Sequence, residues 1–257
     1  IFISSIKYLL NTVEGKIFMN VSSVLAAGLN LDFNYDQIKA EMLALRPYWV
    51  YTPPYKTHLD NGLAGVVFKS ESEEMYNKID YIDSGVTHVH RELRGQNIFY
   101  LRYSKDNPTA QKFLITKNLP TENWEWIEQY KDIMPYTIKC IESLPYKKIG
   151  CIRVFVTENT FFPSHRDYGM NGAFEMSTEY DKTLGLSIIP DTGNVPMSIY
   201  SFQHKQVHKV HGNAMIFNDS AFHGVEFTPG IRITIRIFGE IDFQELLPFI
   251  DSERICY

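Results

Sequence analysis

Cysteine is scarce. Cys140, Cys151 and Cys256 are the only three in 257 residues. They are odd in number, and no two stand at the short spacing of a metal clip. That leaves no disulfide framework and reads as reduced thiols of a cytoplasmic protein. An excess of basic residues is also missing. Lys and Arg number 25 against 30 Asp and Glu, for a formal charge of −5. The chain therefore lacks the electrostatic footprint of a nucleic-acid partner. No apolar run is long enough to span a bilayer, so no membrane partner is expected. The opening "IFISSIKYLL" is apolar but short, carries Lys7, and lacks the charged start and small-residue cleavage site of a signal peptide. Met19 opens "MNVSSVLAAGLNL", and residues 1–18 read as a dispensable extension. Internal repeats and low-complexity tracts are absent too.

What is present is ordinary for a globular chain: 44% hydrophobic and 21% charged residues, in a length that buries a sizeable core as one domain. Residues 1–146 read as a helical and mixed layer. "DQIKAEMLALR" (36–46) has apolar residues at helical spacing behind an acidic start, and "SESEEMYNKI" (70–79) reads as a short helix. "NIFYLRYS" (97–104) and "KFLIT" (112–116) read as strands, and "YTPPYKTHLDNG" (51–62) as a loop. "TENWEWIEQYKDIMPYTIKCIESL" (121–144) reads as a helix with a break or kink at Pro135.

After residue 147 the texture changes to short β-rich runs: "IGCIRVFV", "FFPSH", "TLGLSIIP", "MSIYSF", "QVHKV", "NAMIFN", "FHGVEF" and "IRITIRIFGE". Turn residues separate them, a cadence that predicts a sandwich or barrel over 147–240. A C-terminal extension follows over 241–257, with a helix at "FQELLPFI".

Within the β-rich part lies "FFPSHRDYGMNG" (161–172). Eight histidines and 30 acidic residues in this chain produce a His-x-Asp/Glu tripeptide by chance about once, and His90-Arg91-Glu92 is a second example. Context has to discriminate. On a strand, residues i and i+2 project to one side, so His165 and Asp167 can face one metal. Iron(II) in non-haem oxygenases takes two imidazoles and one carboxylate on one face and leaves open positions. His223, in "FNDSAFHGVEF", supplies a second imidazole from a distant strand. Nine residues beyond it Arg232 begins "RITIR", with Thr234 and Arg236 on the same face. An arginine there can clamp a carboxylate in bidentate fashion. Arg232 stands nearer the ligand end than Arg236 and is the preferred anchor.

The set His165-x-Asp167, His223, Arg232-x-Thr234 resembles the Fe(II)/2-oxoglutarate-dependent dioxygenases, over roughly residues 147–240. The resemblance implies an α+β fold with a double-stranded β-helix (jelly-roll) core beneath an N-terminal helical and mixed layer. It implies that His165, Asp167 and His223 bind Fe(II), and that Arg232, with Thr234 and in competition with Arg236, binds the distal carboxylate of 2-oxoglutarate. O2 would be the oxidant, with succinate and CO2 as coproducts and hydroxylation of an unactivated C–H bond as the outcome. A carboxylate at position 167 fills the place that related halogenases leave to chloride, which favours hydroxylation.

The expected substrate is a small molecule, with a free amino acid such as lysine or arginine as the leading candidate. By analogy within the family, Arg102 would hold its carboxylate. Glu175, in the polar loop 166–182, would meet its amine. A protein side chain is the alternative substrate, and a non-catalytic jelly-roll binding module is the alternative from another class. A cupin-type site at His88 and His90 has poor spacing, because Glu92 follows too soon. Arg153 in "CIRVFV" reads as structural unless it faces inward, where it would serve a carboxylate. His204, His208 and His211 read as solvated residues on a strand that ends at Gly212.

Overall fold

The structure, a computed structural model, describes residues 11–13, 16–18, 24–52, 96–105, 123–165, 185–191, 195–201, 204, 206–218, 221 and 223–256. The sequence readings at 70–79, 88–95 and 112–116 fall outside these residues. So do most of the loop 51–62 and nearly all of the loop 166–182.

The described strands pair antiparallel throughout, and few helices accompany them. Two long strands dominate: β7 (Tyr146–His165) and β12 (His223–Ile241). Around them lie β3 (Ala26–Leu29), β4 (Val50–Thr52), β5 (Gln96–Ser104), β6 (Trp124–Trp126), β8 (Gly185–Ile188), β9 (Met197–Ser201), β10 (Gln206–Val210), β11 (Ala214–Phe217) and β13 (Ile250–Cys256). The main path runs β13-β3-β11-β8-β12-β7-β5-β4, with β9 pairing β12 and β10, and β6 pairing β5. A separate pair joins β1 (Asn11–Val13) to β2 (Lys16–Phe18).

Alternation along β7 and β12 gives each strand two different faces. Ile233, Ile235 and Ile237 of β12 and Ile152, Val154 and Val156 of β7 enter the main core. On the other side of it lie Ile38 and Met42 of α1 (Tyr35–Ala44) and Ile141 of α2 (Pro135–Glu142), all fully buried. Burying each such aliphatic side chain contributes about 1.5–3 kcal/mol, which anchors this face of the sheet. The two helices are also tied by charge. The Glu41 carboxylate of α1 accepts from the Tyr136 and Thr137 amides at 3.0 and 2.7 Å, satisfying donors that the first turn of α2 leaves unpaired.

Three expectations are corrected here. Residues 121–144 are not one helix broken at Pro135. Trp124–Trp126 is a strand paired with Arg102–Ser104, and Pro135 opens α2 at a position where its missing N–H costs nothing. "FFPSH" is not a separate strand but the end of β7, and "FHGVEF" and "IRITIRIFGE" are one strand. β12 stays continuous through irregularities between His223 and Ile231, which bend a strand without ending it. Gly230 takes φ +78 there, a region glycine enters freely, and its amide donates to Asn159 Oδ1 at 2.8 Å. The C-terminal helix is also shorter than expected. A single turn, α3 (Phe243–Leu246), leads through a 3-10 turn into β13, which pairs with β3.

Candidate functional site

The second face of β7 and β12 lines a cavity of about 160 Å³. Arg232, Thr234 and Arg236 of β12 reach it, as does Arg153 of β7. β8 contributes Ser187, and β11 contributes Met215 and Phe217. The start of β12 also lines it, through His223. The irregular stretch of β12 thus lets both of its ends serve one space.

His223 is buried, 6% exposed, and its ring lies 4.7 Å from that of Phe217. Its Nδ1 is 2.9 Å from the Ala221 carbonyl oxygen. A carbonyl only accepts, so Nδ1 carries the proton. In the neutral ring Nε2 is then the nitrogen with the lone pair, the tautomer a metal ligand needs. The backbone partner of His223 across the β12/β7 ladder is His165. The side chain of His165 lies outside what is described, as do Asp167 and Glu175.

Arg232 is 6% exposed. One guanidinium nitrogen donates to the Val195 carbonyl at 3.0 Å. Its Nε is buried with no hydrogen-bond partner among the described residues. Burial lowers its pKa to about 10, partly offset by the Asp191 carboxylate, so it stays a cation at neutral pH. Asp191 itself pairs with Lys39. Arg236 is as deeply buried, donates to Ser187 Oγ at 3.0 Å, and lies with Cζ 3.8 Å from the centre of the Phe217 ring. That contact supports a guanidinium through cation–π attraction. Thr234 lies between the two arginines on the same face.

Among the described residues, those that line the cavity include three arginines and no aspartate or glutamate. Buried cations of this kind are costly unless an anion meets them. A small dicarboxylate such as 2-oxoglutarate fits this donor set. The His223 tautomer fits iron(II).

Arg102 is not brought to this cavity. It donates to the Trp124 carbonyl at 2.9 Å and lies against the Trp126 ring, where β6 covers the end of β5. Arg153, read from sequence as structural unless it faces inward, does line the cavity. Its inward position comes from register, because Arg153 pairs directly with Arg236. Phe217, as the plate shared by His223 and Arg236, is a further residue whose role the sequence did not reveal. His204 and His211 are exposed and His208 is half-buried on β10, in line with solvated residues.

Gly185 makes the Arg236 arrangement possible. A Cβ there would stand 2.6 Å from Arg236 Nε and 2.8 Å from its Cζ. We expect Gly185→Ala to destabilise the protein by about 1–3 kcal/mol through overpacking. Much of that cost should vanish when Arg236→Ala is already present, read as a coupling energy in a denaturation cycle. Additive effects would contradict the contact.

No protein-family model matches the sequence, and no curated protein matches it. Solved structures similar to the chain include a prolyl hydroxylase in complex with a hypoxia inducible factor oxygen degradation domain peptide fragment from Trichoplax adhaerens. That match has 9% identity and a TM-score of 0.44, covering 89% of this chain and 88% of the other. An oxidoreductase of the 2OG-Fe(II) oxygenase family from Burkholderia pseudomallei matches at 12% identity and a TM-score of 0.33, covering 82% of this chain and 94% of that one. A Pseudomonas putida prolyl-4-hydroxylase matches at 12% identity and a TM-score of 0.30, covering 80% and 99%. Likenesses this distant do not bear on the assignment of function, which rests on the residues.

Proposed function

We propose that this protein is an Fe(II)/2-oxoglutarate-dependent oxygenase that hydroxylates an unactivated C–H bond, built on a double-stranded β-helix core. One observation carries the reading. A single strand, β12, presents His223 at one end and Arg232, Thr234 and Arg236 along the same cavity, while the β12/β7 ladder sets the His165 backbone opposite His223.

In this reading His165, Asp167 and His223 hold iron(II). Arg232 receives the distal carboxylate of 2-oxoglutarate, and Thr234 adds a hydroxyl donor to it. The metal, with 2-oxoglutarate and O2, supplies the oxidising chemistry. This chain's residues position and shield. The Ala221 carbonyl holds the His223 ring in its ligating tautomer. Phe217 covers that ring and Arg236 together. Met197, Met215 and Ile189 keep the wall apolar, which excludes water and strengthens the charge contacts.

The direct test is succinate formation from 2-oxoglutarate under air. Iron-loaded protein should release succinate, a chelator should stop it, and Asp167→Ala should abolish it. Undiminished succinate release by Asp167→Ala would overturn the assignment. Adding free acids and peptides in parallel separates a small-molecule substrate from a protein side chain.

A further inference from the structure

Arg153 and Arg236 are directly opposed on neighbouring antiparallel strands. Like charges in that relation repel, and here both line one cavity. Across the row, β8 offers Ser187 to Arg236 and β5 offers Tyr100 beside Arg153. Neither is an anion. Arg153 lies with Cζ 4.8 Å from the Phe155 ring centre and 6.0 Å from that of Tyr100. Its Nε is buried and has no hydrogen-bond partner among the described residues. The ionisable groups beside it stay neutral: burial raises the Tyr100 phenol and pushes the Cys151 thiol to about 12, more than Arg153 lowers either.

Charge counting makes the excess plain and rests on the function proposed above. Iron(II), one carboxylate ligand, a 2-oxoglutarate dianion and the Arg232 guanidinium sum to neutrality. Arg153 then remains on the wall as a further positive charge with no acid beside it among the described residues. Arg236 is committed to Ser187 and sits against Phe217. Arg153 is stacked but not saturated, and it faces the same space.

We propose that Arg153 is a specificity-determining residue that binds an acidic group of the substrate, so the substrate class is a carboxylate-bearing or otherwise anionic molecule. The planar fork of arginine suits a carboxylate in two-point contact, and the Phe155 ring holds it in one orientation. This refines the sequence expectation. A free amino acid remains in the class through its carboxylate. The cationic side chain of lysine or arginine, however, meets no acid among the described cavity walls.

The test uses sulfate and acetate as bare anion probes, with binding followed by calorimetry. Each is titrated into the full chain, once alone and once saturated anaerobically with Mn(II) and 2-oxoglutarate. The saturated wild-type protein should still bind one equivalent of anion. Arg153→Gln should weaken that binding at least about tenfold, the scale of one charge-assisted contact, and leave 2-oxoglutarate affinity within about twofold. Arg153→Lys, which keeps the charge and guards against a folding defect, should recover part of the loss. Absence of anion binding to the saturated wild type would overturn the proposal. So would anion binding indifferent to Arg153→Gln, or a tenfold loss of 2-oxoglutarate affinity in that variant, which would assign Arg153 to the cosubstrate. If the wild type binds no 2-oxoglutarate, the oxygenase reading fails by itself. The titration without cosubstrate then decides on Arg153 independently.

Discussion

Arg232→Ala is expected to weaken 2-oxoglutarate binding to the metal-loaded protein by about a hundredfold or more. The magnitude follows from burial. Breaking a desolvated ion pair by removing one partner costs about 3–5 kcal/mol, because the other charge is left stranded, and each 1.4 kcal/mol is about tenfold in affinity. Arg232 is 6% exposed and already gives one donor to the Val195 carbonyl, so its remaining donors are pre-positioned. Arg232→Lys should recover only part of the affinity, since an ammonium lacks the planar two-point fork. The same burial makes a second, opposite expectation. With Nε unsatisfied among the described residues, the unliganded protein carries an under-compensated cation. Arg232→Met should therefore abolish cosubstrate binding without lowering the denaturation midpoint of the unliganded protein. Calorimetric titration and thermal denaturation of the same samples check both. An Arg232→Ala protein that binds 2-oxoglutarate normally would transfer the anchor role to Arg236.

His223→Ala is expected to lower iron(II) affinity by at least about a hundredfold, beyond the usual cost of losing an outer partner of a ligand. The ring is held from two sides, by the Ala221 carbonyl at 2.9 Å and by Phe217, so metal binding to it carries little ordering cost. Phe217→Leu is the informative companion. It leaves the imidazole in place, removes the aromatic plate under both His223 and Arg236, and should reduce iron and 2-oxoglutarate affinity together by a smaller factor. Competition with a chromophoric chelator reads the first, and calorimetry the second. Full iron affinity in His223→Ala would remove this residue from the metal set.

Much of this was written plainly in the chain. The helix over 36–46, the strand over 97–104 and the β-cadence after 147 each follow from local period, and each stands in the structure within a few residues. The parity of "RITIR" placed Arg232, Thr234 and Arg236 on one face, because strand alternation is a local property. Three features were not legible, for a common reason. Gly230 and the proline in "FFPSH" look like strand breaks, yet β7 and β12 run through them because bulges and the Gly230–Asn159 contact absorb the irregularity. Ile250–Cys256 becomes a strand only by meeting Ala26–Leu29 from the other end of the chain, a pairing with no local signature. Arg153 gained its meaning from register, since nothing in "CIRVFV" says that Arg236 lies opposite. Of the proposed metal set, His223 is placed with its Nδ1 against the Ala221 carbonyl, and His165 by its backbone alone.

The central claim is that one cavity takes iron(II) and 2-oxoglutarate together. The most direct measurement is an anaerobic titration of the protein with Fe(II) and then 2-oxoglutarate, watching the visible charge-transfer band of the chelate. The claim predicts a band that saturates at one equivalent of each in the wild type and is lost in Arg232→Ala. A well-folded wild-type protein that gives no band under these conditions would contradict it and leave the cavity as the pocket of an anion-binding module.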